Sequence, residues 1–352
     1  MASEDRPASS AGQLVARGYD AWNRADLEAF LELMDSEIEW ESSGTFPGID
    51  RRYAGVEGVR EFWTAFTEPW ERMTIEPARM LEPYPEEVLA RVRFGARGRD
   101  GIEVERDFGQ HYTVRDGRMW RMRSYASWKD AVAAVLTPEA VIFDNDGLLL
   151  DTESVWTRAE QKLYERRGRE FTLEHKQELV GTSAEVAAGI FERRFEQPGE
   201  GPAIIEELNE LVTAELENGV DAMVGARELV DVLRGRGIRL GLVSNSPRRF
   251  IERSLEVAEV GEPFEAIVSA HEVPRPKPAA DPYLEACRQL GVEPGLAVVA
   301  LEDSPTGVAA AVAAGLRVIG VPSVPGIELP DAHSELRSLE DPELAILLGD
   351  AG

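Results

Sequence analysis

Ala140-Val141-Ile142-Phe143-Asp144-Asn145-Asp146-Gly147-Leu148-Leu149-Leu150-Asp151-Thr152-Glu153 is an apolar run of strand character that ends in two aspartates one residue apart, followed by a glycine. In a parallel α/β sheet, ligands bind at the carboxyl ends of the strands. A buried strand that carries two carboxylates to that edge meets a desolvation cost unless a cation is present. Taken alone, the pattern also reads as an acidic turn after a strand. The residues downstream decide between the two.

After this strand comes helical spacing without strands, over 154–167, 171–180, 185–195 and 203–218. The rhythm then becomes helix 226–234, strand 238–243, helix 248–257, strand 266–268, helix 282–290, strand 297–301, helix 304–314 and strand 316–321. Strands alternating with helices predict a doubly wound parallel α/β sheet, with the helical block as a lid over its carboxyl edge. Three more polar clusters fall at strand ends: Ser244-Asn245-Ser246, Glu302-Asp303-Ser304, and Lys277 in the loop Pro274-Arg275-Pro276-Lys277-Pro278. Each alone reads as a turn, a helix cap or a surface charge. Together, in order and at matching strand ends, they assemble one site. Lys277 is one of only four lysines among 38 basic residues, so generic positive charge is a poor account of it.

Upstream, helical spacing over residues 10–26 puts Leu14, Val15, Tyr19 and Trp22 on one side, and Asp26 caps a short second helix. A strand at 38–41 and a helix at 56–66 precede alternating runs at 73–81, 87–99, 102–114 and 119–126, with hairpin turns at Asp100-Gly101 and Asp116-Gly117. Helices first and an antiparallel meander afterwards predict α+β. Trp22, Trp40, Trp63, Asp107, Gln110, His111 and Tyr112 are the candidate pocket residues. Gln110, His111 and Tyr112 alternate on one strand, so only one parity faces inward, and the sequence leaves open which. A short alanine-rich helix over 128–136, stopped by Thr137-Pro138, marks the boundary. The division is thus a disordered N-terminus at 1–9, an α+β domain at 10–136, and an α/β domain at 137–352 with a cap at about 154–222.

With 352 residues and a net charge of −27, the chain is too acidic to favour nucleic acid or anionic membrane as partner. Up to Leu136 there are 25 acidic and 18 basic residues, a balance of −7, so the other −20 lies in the second half. The single cysteine, Cys287, excludes an intrachain disulfide and fits a reducing compartment. Residues 1–10 lack the apolar core of a signal peptide, and no stretch approaches the roughly 20 apolar residues of a membrane span. A cytoplasmic location is the expectation.

The set Phe143-Asp144-Asn145-Asp146-Gly147, Ser244-Asn245-Ser246, Lys277-Pro278 and Glu302-Asp303-Ser304 with Gly307, Ala310 and Gly315 resembles the four motifs of the haloacid dehalogenase superfamily, over about residues 139–330. The inserted helices resemble the α-helical cap of its phosphatase and β-phosphoglucomutase-like branch. The resemblance implies a Rossmann-like fold and Mg²⁺-dependent hydrolysis of small phosphoesters through an aspartyl-phosphate. Asp144 is then the nucleophile and a metal ligand. Asp146 binds the metal through its carbonyl and serves as acid and base, and Asp303 with Glu302 completes the metal site. Ser244 and Lys277 hold the phosphoryl oxygens. Haloacid dehalogenases proper lack an acid at the Asp146 position, so dehalogenation is not expected. Asn145 departs from the usual apolar residue, and its side chain is expected to point away without chemical consequence. Asn245, Glu153, Thr182 and Arg248, with Trp156, Ser183 and Glu185, stand where cap and hinge residues meet substrate, and Glu153 tilts the choice towards a sugar or polyol phosphate. A phosphomutase is the nearest rival, and a ligand-binding or scaffold protein with a vestigial phosphatase half is the other.

The first half resembles the cone-shaped fold of nuclear transport factor 2 and the SnoaL-like polyketide cyclases, over about residues 10–130. The resemblance rests on Gly18-Tyr19-Asp20-Ala21-Trp22-Asn23-Arg24-Ala25-Asp26, Tyr53-Ala54-Gly55-Val56-Glu57-Gly58-Val59 and Tyr112-Thr113-Val114-Arg115-Asp116-Gly117-Arg118-Met119. It implies a curved sheet around an apolar pocket, a small apolar ligand, and a homodimer formed through the sheet.

Overall fold

The first unit begins with two helices, α1 (Ser10–Asn23) and α2 (Leu27–Leu31), the second started by Asp26, whose carboxylate accepts from Ala29 N at 3.1 Å. Next come β1 (Met34–Glu41), β2 (Arg52–Ala54) and α3 (Gly55–Thr67). The long meander follows as β3 (Trp70–Tyr84), β4 (Glu87–Gly98), β5 (Glu103–Arg115) and β6 (Arg118–Tyr125). The sheet runs β2-β1-β6-β5-β4-β3 and is antiparallel except where β1 meets β6. This computed structural model describes residues 10–42, 46, 48–179, 182, 184–324 and 326–352. The stretch 1–9 read as disordered, and Ser183, lie outside the described residues.

Pleating gives the sheet two different faces. Val88, Ala90, Val92 and Phe94 of β4 point inward with Phe108, Gln110 and Tyr112 of β5, under Tyr19, Trp22 and the α3 side chains Phe62 and Phe66. The opposite parity carries His111, against Glu87 at 2.5 Å, and Asp107, against Arg91 at 2.6 Å. Neither lines the inner cavity, nor does Trp63, so these three sequence candidates are corrected. Gln110 and Tyr112 are the inward parity.

Part of the outer face is covered by α4 (Trp128–Leu136), whose Ala131, Val132 and Leu136 pack on Leu89. Gly109 makes this approach possible, because a β-carbon there would collide with the Ala131 methyl. Ile346 and Ala351 join the same cluster from the far end of the chain. Accordingly Pro342–Gly352 belongs with the first unit, and Pro138–Asp341 forms the second. Assigning everything from 137 onward to the α/β part therefore placed the last eleven residues wrongly. They carry their own helix at Pro342–Leu347, and the apolar partners of Ile346 lie more than 200 positions away in sequence.

In the second unit β7 (Ala140–Asp144) is followed by four helices, α5 (Thr152–Glu165), α6 (Leu173–Leu179), α7 (Ala184–Phe195) and α8 (Gly201–Leu216). The chain leaves and re-enters the sheet layer side by side, with Asp151 N donating to Asp221 O at 2.9 Å and Met223 N to Leu149 O at 2.9 Å. Alternation then resumes as α9 (Ala226–Gly235), β8 (Arg239–Ser244), α10 (Arg248–Val257), β9 (Ala266–Ser269) and α11 (Asp281–Leu290). It ends with β10 (Val298–Glu302), α12 (Pro305–Ala313), β11 (Arg317–Gly320) and β12 (Ser334–Glu335). The order β12-β11-β10-β7-β8-β9 is parallel throughout, and β7, β8 and β10 lie adjacent. Every residue of β7 and β10 is buried, as expected for strands covered on both faces. Among the described residues no helix is long and apolar enough to cross a membrane.

Candidate active site

Three adjacent strands end at one place: β7 at Asp144, β8 at Ser244 and β10 at Glu302, with Asp303 the next residue. Lys277 enters from the loop before α11. Its ammonium donates to Asp144 Oδ1 at 2.5 Å, Glu302 Oε1 at 2.6 Å and Val243 O at 3.1 Å. Carboxylate oxygens of Asp144, Glu302 and Asp303 lie within 4.8 Å of one another. Tyr283, on α11, donates to Glu302 Oε1 at 2.5 Å, and Ser323, in the loop after β11, donates to Asp303 Oδ2 at 2.6 Å.

The Asp146 carboxylate is held separately. Its Oδ2 accepts from the Ser244 hydroxyl at 2.6 Å and the Ser246 hydroxyl at 2.9 Å, and its Oδ1 from Asn145 Nδ2 at 3.2 Å. Asn145 is fully buried, and among the described residues its own Oδ1 has no partner. The expectation that this side chain would point away is corrected by that contact. A buried polar atom without a partner costs about 1–3 kcal/mol, so the amide is a poor choice for packing alone. Gly147 follows with φ +86°, and a β-carbon there would collide with the Asp303 carboxylate and meet the Ser323 hydroxyl. The turn after β7 thus lies directly against the acidic cluster.

Burial dominates the electrostatics. It pushes the Asp144 carboxyl well above the usual carboxylate range, with Lys277 pulling the other way and Glu302 and Asp303 adding to the rise. Asp303 is pushed up to about 7 by burial and then by the Glu302 charge, against the Ser323 hydrogen bond. For Lys277 burial works towards the neutral amine, but Asp144 and Glu302 outweigh it and hold the ammonium above its ordinary value. Among the described residues, three clustered carboxylates meet one paired cation, so two negative charges lack a counter-charge. Protons or a divalent ion must offset them. A set of carboxylate oxygens is what a hard cation such as Mg²⁺ accepts, so the residues fit that ion.

The other sequence candidates lie elsewhere in this unit. Asn245 spends its amide on the Lys277 main chain, accepting from Lys277 N at 3.1 Å and donating to Lys277 O at 3.4 Å. Arg248 pairs with Glu272 at 2.6 Å. Glu153 pairs inside the helical insertion with Lys176 at 2.8 Å, an ammonium it shares with Glu160 at 3.1 Å. Thr182 donates to Leu179 O at 2.8 Å, Trp156 meets the Phe250 ring at 6.2 Å, and Glu185 is exposed in the first turn of α7. Three polar neighbours escaped the sequence reading: Ser246, Tyr283 and Ser323. Ser246 was quoted in its cluster without a role of its own, Tyr283 fell in the helix read at 282–290, and Ser323 is simply a hydroxyl after a strand end.

Fold and site together define an α/β enzyme that assembles its chemistry from the ends of neighbouring parallel strands. Residues 141–321, just over half the chain, match the family model of haloacid dehalogenase-like hydrolases, and residues 15–122 match the SnoaL-like domain. The chain belongs to the haloacid dehalogenase-like hydrolases, within the class of phosphoric monoester hydrolases. It is 33% identical over 202 residues to hexitol phosphatase B of Escherichia coli (strain K12), covering 56% of this chain and 87% of that protein. CbbY of Rhodobacter sphaeroides, solved with xylulose-(1,5)bisphosphate, is similar at 28% identity and a TM-score of 0.51, over 58% of this chain and 96% of the other. A haloacid dehalogenase family hydrolase of Deinococcus radiodurans, solved with phosphate and sodium, is similar at 29% identity and a TM-score of 0.51, over 61% of this chain and 99% of the other.

Proposed function

We propose that the second unit hydrolyses a sugar or polyol phosphate in two steps through a phosphorylated Asp144. The observation that carries this reading is the buried Asp144–Lys277–Glu302–Asp303 cluster at the sheet edge, with the Asp146 carboxylate held apart from it. A carboxylate oxygen of Asp144 attacks phosphorus as the bond to the leaving oxygen breaks, and Asp146 gives that oxygen its proton. Asp146 then takes a proton from the water that attacks the phosphorus, the bond to Asp144 breaks, and inorganic phosphate leaves. Ser244 and Lys277 receive the phosphoryl oxygens, and Asn245 fixes the Lys277 main chain. Asp144, Asp303, Glu302 and the Asp146 carbonyl would hold Mg²⁺, which supplies charge neutralisation around the transferring group. The substrate class draws support from the E. coli hexitol phosphatase and the sugar bisphosphate bound by CbbY. The lone cysteine, buried and free, accords with a cytoplasmic site of action.

The test is phosphate release from a panel of sugar, polyol and nucleotide phosphates, with Mg²⁺ and with chelator. Mg²⁺-dependent release from wild type and none from Asp144→Asn is expected. Isomerised substrate without net phosphate would transfer the reading to a mutase, and an inert wild type would favour a vestigial site.

For the first unit the reading is a small, mostly apolar ligand. Tyr19, Trp22, Trp40, Phe46, Phe62 and Tyr112 surround a cavity of about 30 Å³, which among the described residues no charged side chain lines. That is room for roughly one or two waters, so a ligand must displace aromatic rings to enter. A homodimer through this sheet would meet cross-strand ion pairs such as Arg91–Asp107 and Arg121–Glu39, and sedimentation at several salt concentrations tests it.

A further inference from the structure

We propose that Asn145 is a positioning residue for the Asp146 carboxylate, fixing its plane so that the proton reaches the leaving oxygen. The inference rests on the phosphatase reading above and deepens it. An aspartate's terminal torsion is soft and nearly two-fold, so a carboxylate gripped at one oxygen can still turn. Ser244 and Ser246 both donate to Asp146 Oδ2, whereas Oδ1 accepts from Asn145 Nδ2, at 3.2 Å. The two carboxylate oxygens are thereby held by different donors. When a phosphoryl group arrives and takes the Ser244 hydroxyl, Oδ2 loses one of its donors. The Asn145 amide is not a phosphoryl ligand and stays where it is.

Packing gives no competing reason for an amide at this position. Asn145 is fully buried, and among the described residues its Oδ1 has no partner and its only side-chain hydrogen bond runs to Asp146. An apolar side chain of equal volume would avoid the orphaned oxygen. What such a residue could not do is hold Oδ1.

The role separates from a structural one by its dependence on the leaving group. An alkoxide needs a proton to depart and p-nitrophenolate does not, so loss of acid positioning slows the first step, transfer to Asp144, only for the former. The experiment compares kcat/KM, which reports the steps up to departure of the leaving group and not the later attack of water, for a hexitol phosphate and for p-nitrophenyl phosphate in wild type, Asn145→Leu and Asp146→Asn, with thermal unfolding of each. In Asn145→Leu kcat/KM for the hexitol phosphate should fall about tenfold more than that for the aryl phosphate, since general acid catalysis contributes on the order of 10²–10⁴-fold. The melting temperature should be no lower than that of wild type. Asp146→Asn should show the same selectivity, larger. Equal losses on both substrates, or none on either, would overturn the positioning role. Should Asp146→Asn itself show no selectivity, the acid role fails, and the proposal falls with it by a different route. If Asn145→Leu does not fold, Asn145→Ala removes the same amide with less volume to place and is read in the same way.

Discussion

Each unit buries a polar cluster, and the two clusters differ in whether they are complete. In the first, the Tyr19 and Tyr112 hydroxyls both donate to Gln110 Oε1, at 2.8 and 2.9 Å, inside a shell of aromatic rings. All three groups are neutral, and burial drives both phenols above their ordinary range, so they stay neutral. In the second, Lys277 serves two carboxylates and a third lies beside them, so the cluster is short of positive charge. A neutral cluster that closes on itself specifies packing. A charged cluster that does not close needs protons or a cation to offset it, and the proposed site is built on that need.

The largest expected effect strikes only the incomplete cluster. Asp144→Asn should lower phosphate release on the order of 10⁴-fold or more, as loss of a nucleophile does, while the protein still melts cooperatively. Because it removes one of the clustered negative charges, the variant should melt no lower than wild type in chelator. A clear drop in melting temperature there would break the claim that the cluster is short of positive charge.

Lys277→Met comes next. It leaves the Asp144 and Glu302 carboxylates buried without their ammonium, and breaking such a pair costs about 3–5 kcal/mol. Denaturant unfolding in chelator should register that loss, and added Mg²⁺ should restore part of it. Without any restoration, the carboxylates would not be the cation's ligands.

Gln110→Leu sharpens the other side of the comparison. It takes the Gln110 acceptor from both buried hydroxyls and leaves Tyr112 the Tyr19 oxygen at 3.2 Å, for about 1–3 kcal/mol in the first unit. Phosphate release should not change, so a fall in kcat would show that the two clusters are coupled. The smallest effect is expected from Glu153→Gln. The pair with Lys176 is partly exposed and worth about 0–1 kcal/mol, and kcat/KM should move by less than about threefold. A larger change would restore Glu153 to the substrate-facing role assigned from sequence.

The contrast between units also explains what could be read from the chain. The chemistry of the second unit sits at the ends of buried strands. There an apolar run stopping at Asp144, Ser244 or Glu302 marks both the element and the residue it delivers. That regularity made the parallel sheet and the clustered carboxylates at its edge legible. It does not extend to groups whose meaning depends on a distant partner. Arg248, Glu153 and Asn245 looked available because Glu272, Lys176 and the Lys277 main chain are 23–32 positions away in sequence. Ser323 reaches Asp303 from a loop with no pattern of its own. In the first unit, β3 to β6 were evident from alternation, but alternation does not say which parity faces inward. His111 and Asp107 were therefore grouped with Gln110 and Tyr112, although the register puts them on the opposite face. The short β2 and the final helix carry too few residues for periodicity to register.

The most direct test is to trap the covalent intermediate. Wild-type protein mixed with Mg²⁺ and its best phosphoester, quenched in acid during turnover and digested, should carry phosphate on the peptide containing Asp144. The same peptide should be unmodified in Asp144→Asn. Sustained phosphate release from wild type with no phosphate ever found on Asp144, or release persisting in Asp144→Asn, would contradict the account.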